Sequence, residues 1–494
     1  MLPLLLIILL SSGFFSLYGP NSLFFQKTIA LVGIAIALVI CVTIGVEFLS
    51  SSTQAAPWLY EWQMPWISTW DINVHFGLDV IAWWLIALTI VMGIIACFFA
   101  HPDKNLKSYF ASISWAVFAV VGLLASVDIF LFFIFWELSL LPVYWMMLFH
   151  GKEESRSSSM RYIFYTQLSG FILLLSVIGL AYYNFQSTNI FTFSYAKILS
   201  VPIDTAVQPY LFLGFLLAFL IKLPSVPFHG WIAGVFNNAP APIILVGLLI
   251  KTAIFGLMRF SWPLFPDACT LFAQPIMYVG VISIFYGAIV AFGQRNPTSL
   301  LAYGTLSHAG MLLVGLFSSN QASFLGVMFL LICQTFSTAS LLLIVRQLSP
   351  VDLRQNYGLW EKNPILAVII LFFSLASLGF PVFGNFIGEW MVVWGTFSAA
   401  PVISILVALG MVLGAIYSLW LFQRLCWGSA SDIKISAYTS LDNMMYGLIV
   451  VALLVAGFFP NLILNSFDIA SSLNIETQAS SSLKILHDKQ VALP

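Results

Sequence analysis

The sequence predicts an all-α, polytopic membrane protein of about fourteen transmembrane helices, arranged as two inverted five-helix repeats that each contain a broken helix. Three observations predict this. Apolar residues make up 61% of the 494 residues and charged ones 7%, against roughly 25% charged in soluble domains. The mean hydropathy is +1.01. Apolar stretches approaching or exceeding the ~17–25 residues needed to cross a bilayer recur along the chain.

These stretches fall near residues 2–17, 28–49, 78–100, 109–126, 128–150, 160–183 and 209–223. Seven more fall near 240–260, 275–293, 299–318, 322–347, 364–398 (interrupted), 401–424 and 443–464. No basic residue precedes the first stretch, and Lys27 is the first to follow it, so a transmembrane helix is expected there and not a cleaved signal. Loops after odd-numbered spans hold twelve Lys and Arg residues; loops after even-numbered spans, with the C-terminal tail, hold four (Lys197, Arg259, Lys484, Lys489). This bias expects the odd loops in the cytoplasm and both termini outside. The segment 50–77 carries Glu61 and Asp71 but no basic residue, and fits the outer face.

The expected organisation is a set of three helices in 1–108, a first repeat in 109–260, a second in 275–424, and a last helix and tail in 443–494. The tail beyond Asn465 is Ser-rich and weakly amphipathic, and no separate soluble domain is visible. Cys41, Cys97, Cys269, Cys333 and Cys426 are scattered and odd in number. They read as small packing residues and not as disulfides or metal ligands.

Two stretches are interrupted by helix breakers, Lys222-Leu-Pro-Ser-Val-Pro-Phe-His-Gly-Trp231 and Gly379-Phe-Pro-Val-Phe-Gly-Asn-Phe-Ile-Gly-Glu-Trp390. Proline removes a backbone donor, and the polar backbone so exposed is tolerated at membrane depth only where protein or a hydrated cavity meets it. Lys222 and Glu389 are 167 residues apart, close to the 166 that separate the spans starting near 109 and 275. Five being odd, the second repeat enters from the opposite side. Paired broken helices in such repeats point to a transport site; ordinary proline kinks are the alternative, and the charge beside each break argues against it.

Five ionisable residues lie at membrane depth: Glu137, Lys222, Lys251, His308 and Glu389. A charge near the bilayer centre costs about 2.5–3.5 kcal/mol on insertion scales, so such residues are retained for function. Glu137 sits in Ile129-Phe-Leu-Phe-Phe-Ile-Phe-Trp-Glu-Leu-Ser-Leu-Leu-Pro142. An acid and a lysine in one half set each other's protonation, attracting by about 4 kcal/mol at 4 Å and an effective dielectric of 20. Glu137 and Lys222 are therefore expected to form a proton switch, a static salt bridge being the alternative. Lys251 lies too deep in Ile243–Gly256 to snorkel, and His308 needs little perturbation to titrate near neutrality. Acids stand at the two ends of this series and bases between them, as in a lateral relay. Asp79, Asp128 and Glu47 lie nearer span ends and read as interfacial residues. No Gly-x-Gly-x-x-Gly turn, P-loop, Cys-x-x-Cys or paired histidines for haem or metal occur, so no cofactor is expected in this chain and its energy is expected to come from a partner or an ion gradient.

The motifs Phe135-Trp-Glu-Leu, Arg161-Tyr-Ile-Phe-Tyr-Thr-Gln, Lys222-Leu-Pro with Pro227-Phe-His-Gly-Trp231, Ile250-Lys-Thr-Ala-Ile-Phe-Gly-Leu-Met-Arg-Phe260, Tyr303-Gly-Thr-Leu-Ser-His-Ala-Gly310 and Gly384-Asn-Phe-Ile-Gly-Glu389 occur in this order. Together they resemble subunit M of bacterial NADH-quinone oxidoreductase, the chain 4 family of mitochondrial complex I. The resemblance implies a fourteen-helix antiporter-like subunit of a membrane arm, in a bacterial inner membrane, packed against other antiporter-like subunits. It implies proton pumping through Glu137, Lys222, Lys251, His308 and Glu389, with flavin, iron-sulfur clusters and quinone in partner subunits.

Two segments depart from the family pattern. After His229-Gly-Trp231 the chain reads Ile232-Ala-Gly-Val-Phe236 where the family has Leu-Pro-Asp-Ala-His, and Gln334 stands where the family commonly has a histidine. The competing functions are a subunit of a multisubunit cation/proton antiporter without redox coupling, and a structural spacer that has lost pumping.

Overall fold

The computed structural model describes residues 1–50, 58, 60–102, 105–152, 155–247, 251–349, 351–429, 434–435 and 439–467. Most of the expected C-terminal tail, together with Lys104, Lys484 and Lys489, lies outside the described residues.

The helices in chain order are α1 (Leu2–Tyr18), α2 (Leu23–Ser50), α3 (Val80–Phe98), α4 (Leu106–Ala125), α5 (Ile129–Leu138), α6 (Leu140–His150), α7 (Ser155–Thr188), α8 (Tyr195–Leu199), α9 (Gln208–Lys222) and α10 (Ile232–Asn238). They continue with α11 (Ala241–Gly247), α12 (Thr252–Gly256), α13 (Trp262–Leu264), α14 (Pro266–Phe292), α15 (Pro297–Phe317) and α16 (Gln321–Gln347). The last are α17 (Leu359–Lys362), α18 (Pro364–Ser377), α19 (Gly384–Ala399), α20 (Pro401–Cys426) and α21 (Ser440–Phe458). Among the described residues eleven helical segments are long and apolar enough to cross a membrane, and α1, α9 and α18 are shorter apolar helices.

The segment before α3 is a hairpin, β1 (Tyr60–Ile67) against β2 (Ile72–Leu78), antiparallel with a register shift between Pro65 and Ile67. A second small pair, β3 (Leu348–Ser349) with β4 (Lys434–Ile435), ties two loops together.

Helix starts follow from side-chain caps. Asp79 Oδ1 accepts from Ala82 N at 2.7 Å, Asn296 from Thr298 N at 3.0 Å, Asn320 from Ala322 N at 2.9 Å and Asn363 from Leu366 N at 3.1 Å. Thr439 and Asp442 form a reciprocal capping box at α21. Each cap satisfies a backbone donor left over at the helix start and stabilises by about 1 kcal/mol.

Two close crossings hold the second half together. A Cβ on Gly280 of α14 would stand 2.7 Å from the carbonyl of Gly310 on α15, and one on Gly326 of α16 would stand 2.8 Å from the carbonyl of Gly388 on α19. In lipid, helix association rests on such close packing of small residues, because tails are as apolar as the side chains. The two crossings place His308 and Glu389, each beside one of these glycines, in the protein interior. All five cysteines are free and buried.

Candidate functional site

Both expected breaks are present. Helix α9 ends at Lys222, and residues 223–231 are non-helical before α10 begins. The carbonyls freed at the end of α9 find new donors: Ser225 Oγ donates to Leu220 O at 3.0 Å and Trp231 Nε1 to Ile221 O at 3.0 Å. Ser283 Oγ of α14 accepts from Val226 N at 3.0 Å. The break is thus satisfied by protein, as membrane depth demands. The second break runs from Leu378 to Phe383, between α18 and α19.

Lys251 lies inside the expected span, Ala241–Leu264; it is itself non-helical at the N-terminus of α12, residues 248–250 before it lie outside the described residues, and a π-helical turn, Leu257–Ser261, follows. π-Turns are frequent at functional sites.

In the first half, Glu137 lies near the end of α5. Gln167 Nε2 of α7 donates to its Oε2 at 3.0 Å, while its Oε1 is buried with no hydrogen-bond partner. Gly170, one helical turn beyond Gln167 (i+3), makes the room, since a Cβ there would overlap Oε1 outright. Lys222 does not pair with this carboxylate, contrary to the expected contact. Its Nζ donates to Ser139 Oγ at 2.8 Å and to Trp136 O at 3.2 Å, and lies 3.8 Å from the centroid of the Trp136 ring. The lysine therefore reaches the residues on either side of Glu137 and is held there by a ring and two neutral oxygens. Trp136, Ser139 and Gln167 complete the arrangement; sequence reading treated them as part of the apolar run or of a motif.

In the second half, His308 of α15 is buried. Its Nδ1 lies 4.0 Å from Glu389 Oε1, and its Nε2 3.4 Å from the hydroxyl of Tyr417 on α20. The first distance is too long for a direct hydrogen bond and suits one bridging water. A small cavity lined by Ser307, His308, Ser377, Glu389 and Tyr417 offers ≈ 10 Å³ to a water's centre, about one molecule. Glu389 is 2% exposed, and its Oε2 is without a partner. That oxygen faces Gly379, at φ 72° in the break, where a Cβ would overlap it.

One turn before Glu389, Asn385 Nδ2 donates to Gln334 Oε1 at 2.6 Å and to Ser337 Oγ at 3.1 Å, and Gln334 Nε2 donates to Thr338 Oγ1 at 3.1 Å. The departure at Gln334 is thus a buried amide cluster beside the acid. The other departure, Ile232–Phe236, forms the body of α10. Arg346 of α16 donates to the carbonyls of Phe236 and Ala239 at the end of that helix.

Of two acids expected at the interface, Asp128 is buried and Asp79 is partly exposed. Asp128 is 0% exposed and accepts from Asn73 N, Phe130 N and Leu131 N. Asp79 Oδ2 accepts from Arg259 Nη2 at 2.6 Å, and the Arg259 guanidinium lies over the rings of Trp58 and Phe255. Arg259, expected in a loop, is buried in the π-helical turn.

The fold and these residues define a multi-pass helical membrane protein with ionisable side chains in its interior and two broken helices beside Lys222 and Glu389. The transmembrane family of NADH:quinone oxidoreductase and Mrp antiporter subunits matches residues 126–416, and the chain belongs to that family. It is 34% identical to NADH-quinone oxidoreductase subunit M of Escherichia coli (strain K12), over 89% of this chain and 90% of the relative. It is 33% identical to the Pseudomonas aeruginosa subunit M, over 94% and 95%. Among solved structures, a chain of respiratory complex I from Thermus thermophilus with bound NADH superposes with a TM-score of 0.84 at 25% identity, over 96% of this chain and 98% of that one. A chain of the Mrp complex from Dietzia shares the fold, with a TM-score of 0.76 at 18% identity, over 94% of this chain and 51% of that one.

Proposed function

We propose that this chain is a proton-translocating, non-redox subunit in the membrane arm of a respiratory NADH:quinone oxidoreductase of a bacterial inner membrane, with both termini on the non-cytoplasmic side. The observation that carries this reading is the series Glu137, Lys222, Lys251, His308 and Glu389, of which Lys251, His308 and Glu389 are buried and Glu137 and Lys222 half-buried, with Lys222 and Glu389 at the two helix breaks. Flavin, iron-sulfur clusters and quinone belong, on this reading, to partner subunits, and the two halves act as inverted repeats.

The chemistry follows from the geometry. An ammonium beside a carboxylate keeps its proton, and one held by neutral groups releases it more readily. Lys222 on Trp136 O and Ser139 Oγ is the open arrangement, and rotation toward Glu137 closes the pair. Opening and closing gates the lysine's proton toward Lys251. Between His308 and Glu389 a proton crosses the 4.0 Å gap through one water.

The test is Lys222→Ala in the assembled complex. Quinone-coupled proton pumping falls while electron transfer from NADH to an artificial acceptor persists; unchanged pumping refutes the role. Sodium-dependent exchange in vesicles without NADH oxidation would favour the multisubunit antiporter reading instead.

A further inference from the structure

Helix α14 holds a single charged residue, Asp267 in its first turn, and none of the five relay side chains. Its segment 280–287 nevertheless touches both halves of the site. On one side Ser283 Oγ accepts from Val226 N of the first break at 3.0 Å, and the Tyr286 ring lies 4.6 Å from that of His229 in the same break. On the other side Ile284 O accepts from Ser307 Oγ at 3.0 Å. Ser307 precedes His308 in α15, and Ile284 and Ser307 both line the cavity that His308 shares with Glu389.

These contacts are closely held. Ser283 is 0% exposed and is the only residue from Val279 to Phe285 with a polar side chain. Its own proton goes to Val279 O at 2.8 Å, which leaves its oxygen free to accept from Val226. A Cβ on Gly287 would stand 2.7 Å from Ser307 N, and one on Gly280 would stand 2.7 Å from Gly310 O, so α14 and α15 are in backbone contact on both sides of Ile284. Toward Lys222, the last carbonyls of α9 are bonded by Ser225 and Trp231 of the break, so the end of α9 and the break form one hydrogen-bonded unit. A continuous path thus runs from Lys222 through Val226, Ser283 and Ile284 to Ser307 and His308. It does not pass through Lys251.

We propose that Ser283 is a positioning residue for proton transfer, coupling the first break to the gap between His308 and Glu389 so that the place of Lys222 and the width of that gap change together. The proposal rests on the reading of Lys222 as a switch. Coupling between separate sites requires a contiguous packed or hydrogen-bonded chain whose ends have two arrangements each. Here one end is Lys222, open on Trp136 and Ser139 or closed on Glu137, and the other is the 4.0 Å gap. Closing that gap by about 1 Å turns transfer through a water into a direct hydrogen bond. Ser283 itself neither takes a relay proton nor gives one.

The test measures pumping by the assembled complex in proteoliposomes, per complex assembled, with NADH oxidation by an artificial acceptor as the control. Ser283→Ala takes the acceptor from Val226 N–H, and pumping is expected to fall about fivefold, the effect of one lost hydrogen bond on an equilibrium. Ser283→Thr keeps the hydroxyl and pumps better than Ser283→Ala. Ser307→Ala cuts the other end of the path, and the double variant Ser283→Ala with Ser307→Ala pumps no worse than the poorer single one, because both changes break one link. The solvent deuterium isotope effect on quinone-coupled turnover rises in Ser283→Ala, as crossing the gap becomes the slow step. A residue that only secures the break would lower the amount assembled and leave this ratio unchanged. Wild-type pumping in Ser283→Ala, a threonine variant no better than alanine, losses that multiply in the double variant, or an unchanged isotope effect overturns the proposal. Lys222→Ala in the same assay separates the two levels. If it pumps normally, the switch falls and this coupling with it; if it fails to pump while Ser283→Ala pumps as wild type, the coupling alone is overturned.

Discussion

Lys222 stands over the indole of Trp136, 3.8 Å from the ring centroid, and donates to that residue's own carbonyl at 3.2 Å. One residue thus holds the ammonium from two sides, and its neighbour in the chain is the acid Glu137. The rest position of the lysine is set next to the carboxylate without contact to it.

Removing the ring should therefore alter the switch. A cation over tryptophan gains about 0.5–2 kcal/mol, and Trp136→Leu loses it while the carbonyl remains. The number of protons pumped per electron pair is expected to fall in the order wild type, Trp136→Phe, Trp136→Leu, with electron transfer retained. A leucine variant that pumps like wild type would show that the ring is only packing.

Gly170 and Gly379 make room for the two end acids, and alanine at each separates two effects. Residue 170 is inside α7, where alanine is preferred to glycine by roughly 0.5–1 kcal/mol. Gly170→Ala should leave the thermal unfolding midpoint equal or higher while proton pumping drops, because Glu137 Oε1 is displaced. Gly379→Ala adds a left-handed backbone at φ 72°, at about 1–2 kcal/mol, and should lower both midpoint and pumping. Normal pumping in Gly170→Ala would mean that the carboxylate position is not critical.

The Arg259–Asp79 pair joins the π-helical turn to the start of α3. Side-chain exposures are 4% and 28%, and removing one partner of a buried pair costs about 3–5 kcal/mol. Asp79→Asn, which preserves the cap on α3, should cost about 3 kcal/mol in detergent unfolding, near the low end because Asp79 keeps some water. Combining it with Arg259→Met should cost less than the two single changes together; additive costs would deny the pairing.

Acid should loosen the hairpin face. Asp71, in the turn between β1 and β2, is raised by burial, but its bonds to Lys197 and Thr192 and the Lys197 charge outweigh that and hold its pKa below the usual value. A group depressed on folding contributes stability above its unfolded pKa and loses it as pH falls through the folded one. The contribution is expected at neutral pH and is lost below about pH 4, and as an exposed pair it amounts to about 1 kcal/mol or less. Hydrogen exchange of residues 60–78 from pH 6 to pH 3 checks this: Asp71→Asn should exchange faster at pH 6 and lose its difference from wild type at the acid end.

Much of the site could be read from the chain. Lys222-Leu-Pro and Gly379-Phe-Pro announced their breaks because proline and glycine act locally. Glu137, His308 and Glu389 stood out because a charge in an apolar run is costly wherever the run folds. The non-helical backbone of Lys251 was not legible, since Lys251-Thr-Ala253 contains no proline or glycine. Asp128 looked interfacial by its place at a span end, yet three backbone N–H groups, one of them from the hairpin 55 residues earlier, enclose it.

Sequence alone determined which segments are apolar enough to cross a bilayer, which residues carry charge within them and where two helices break, because length, apolarity and backbone chemistry are properties of consecutive residues. Tertiary structure decided the partners: Lys222 with Trp136, His308 near Glu389, and Asp79 with Arg259 across 180 residues. The reason is physical. A helix surrounded by lipid is apolar on its outer face as well as its inner one, so its periodicity marks no side, and only the packing of the bundle determines which polar groups meet.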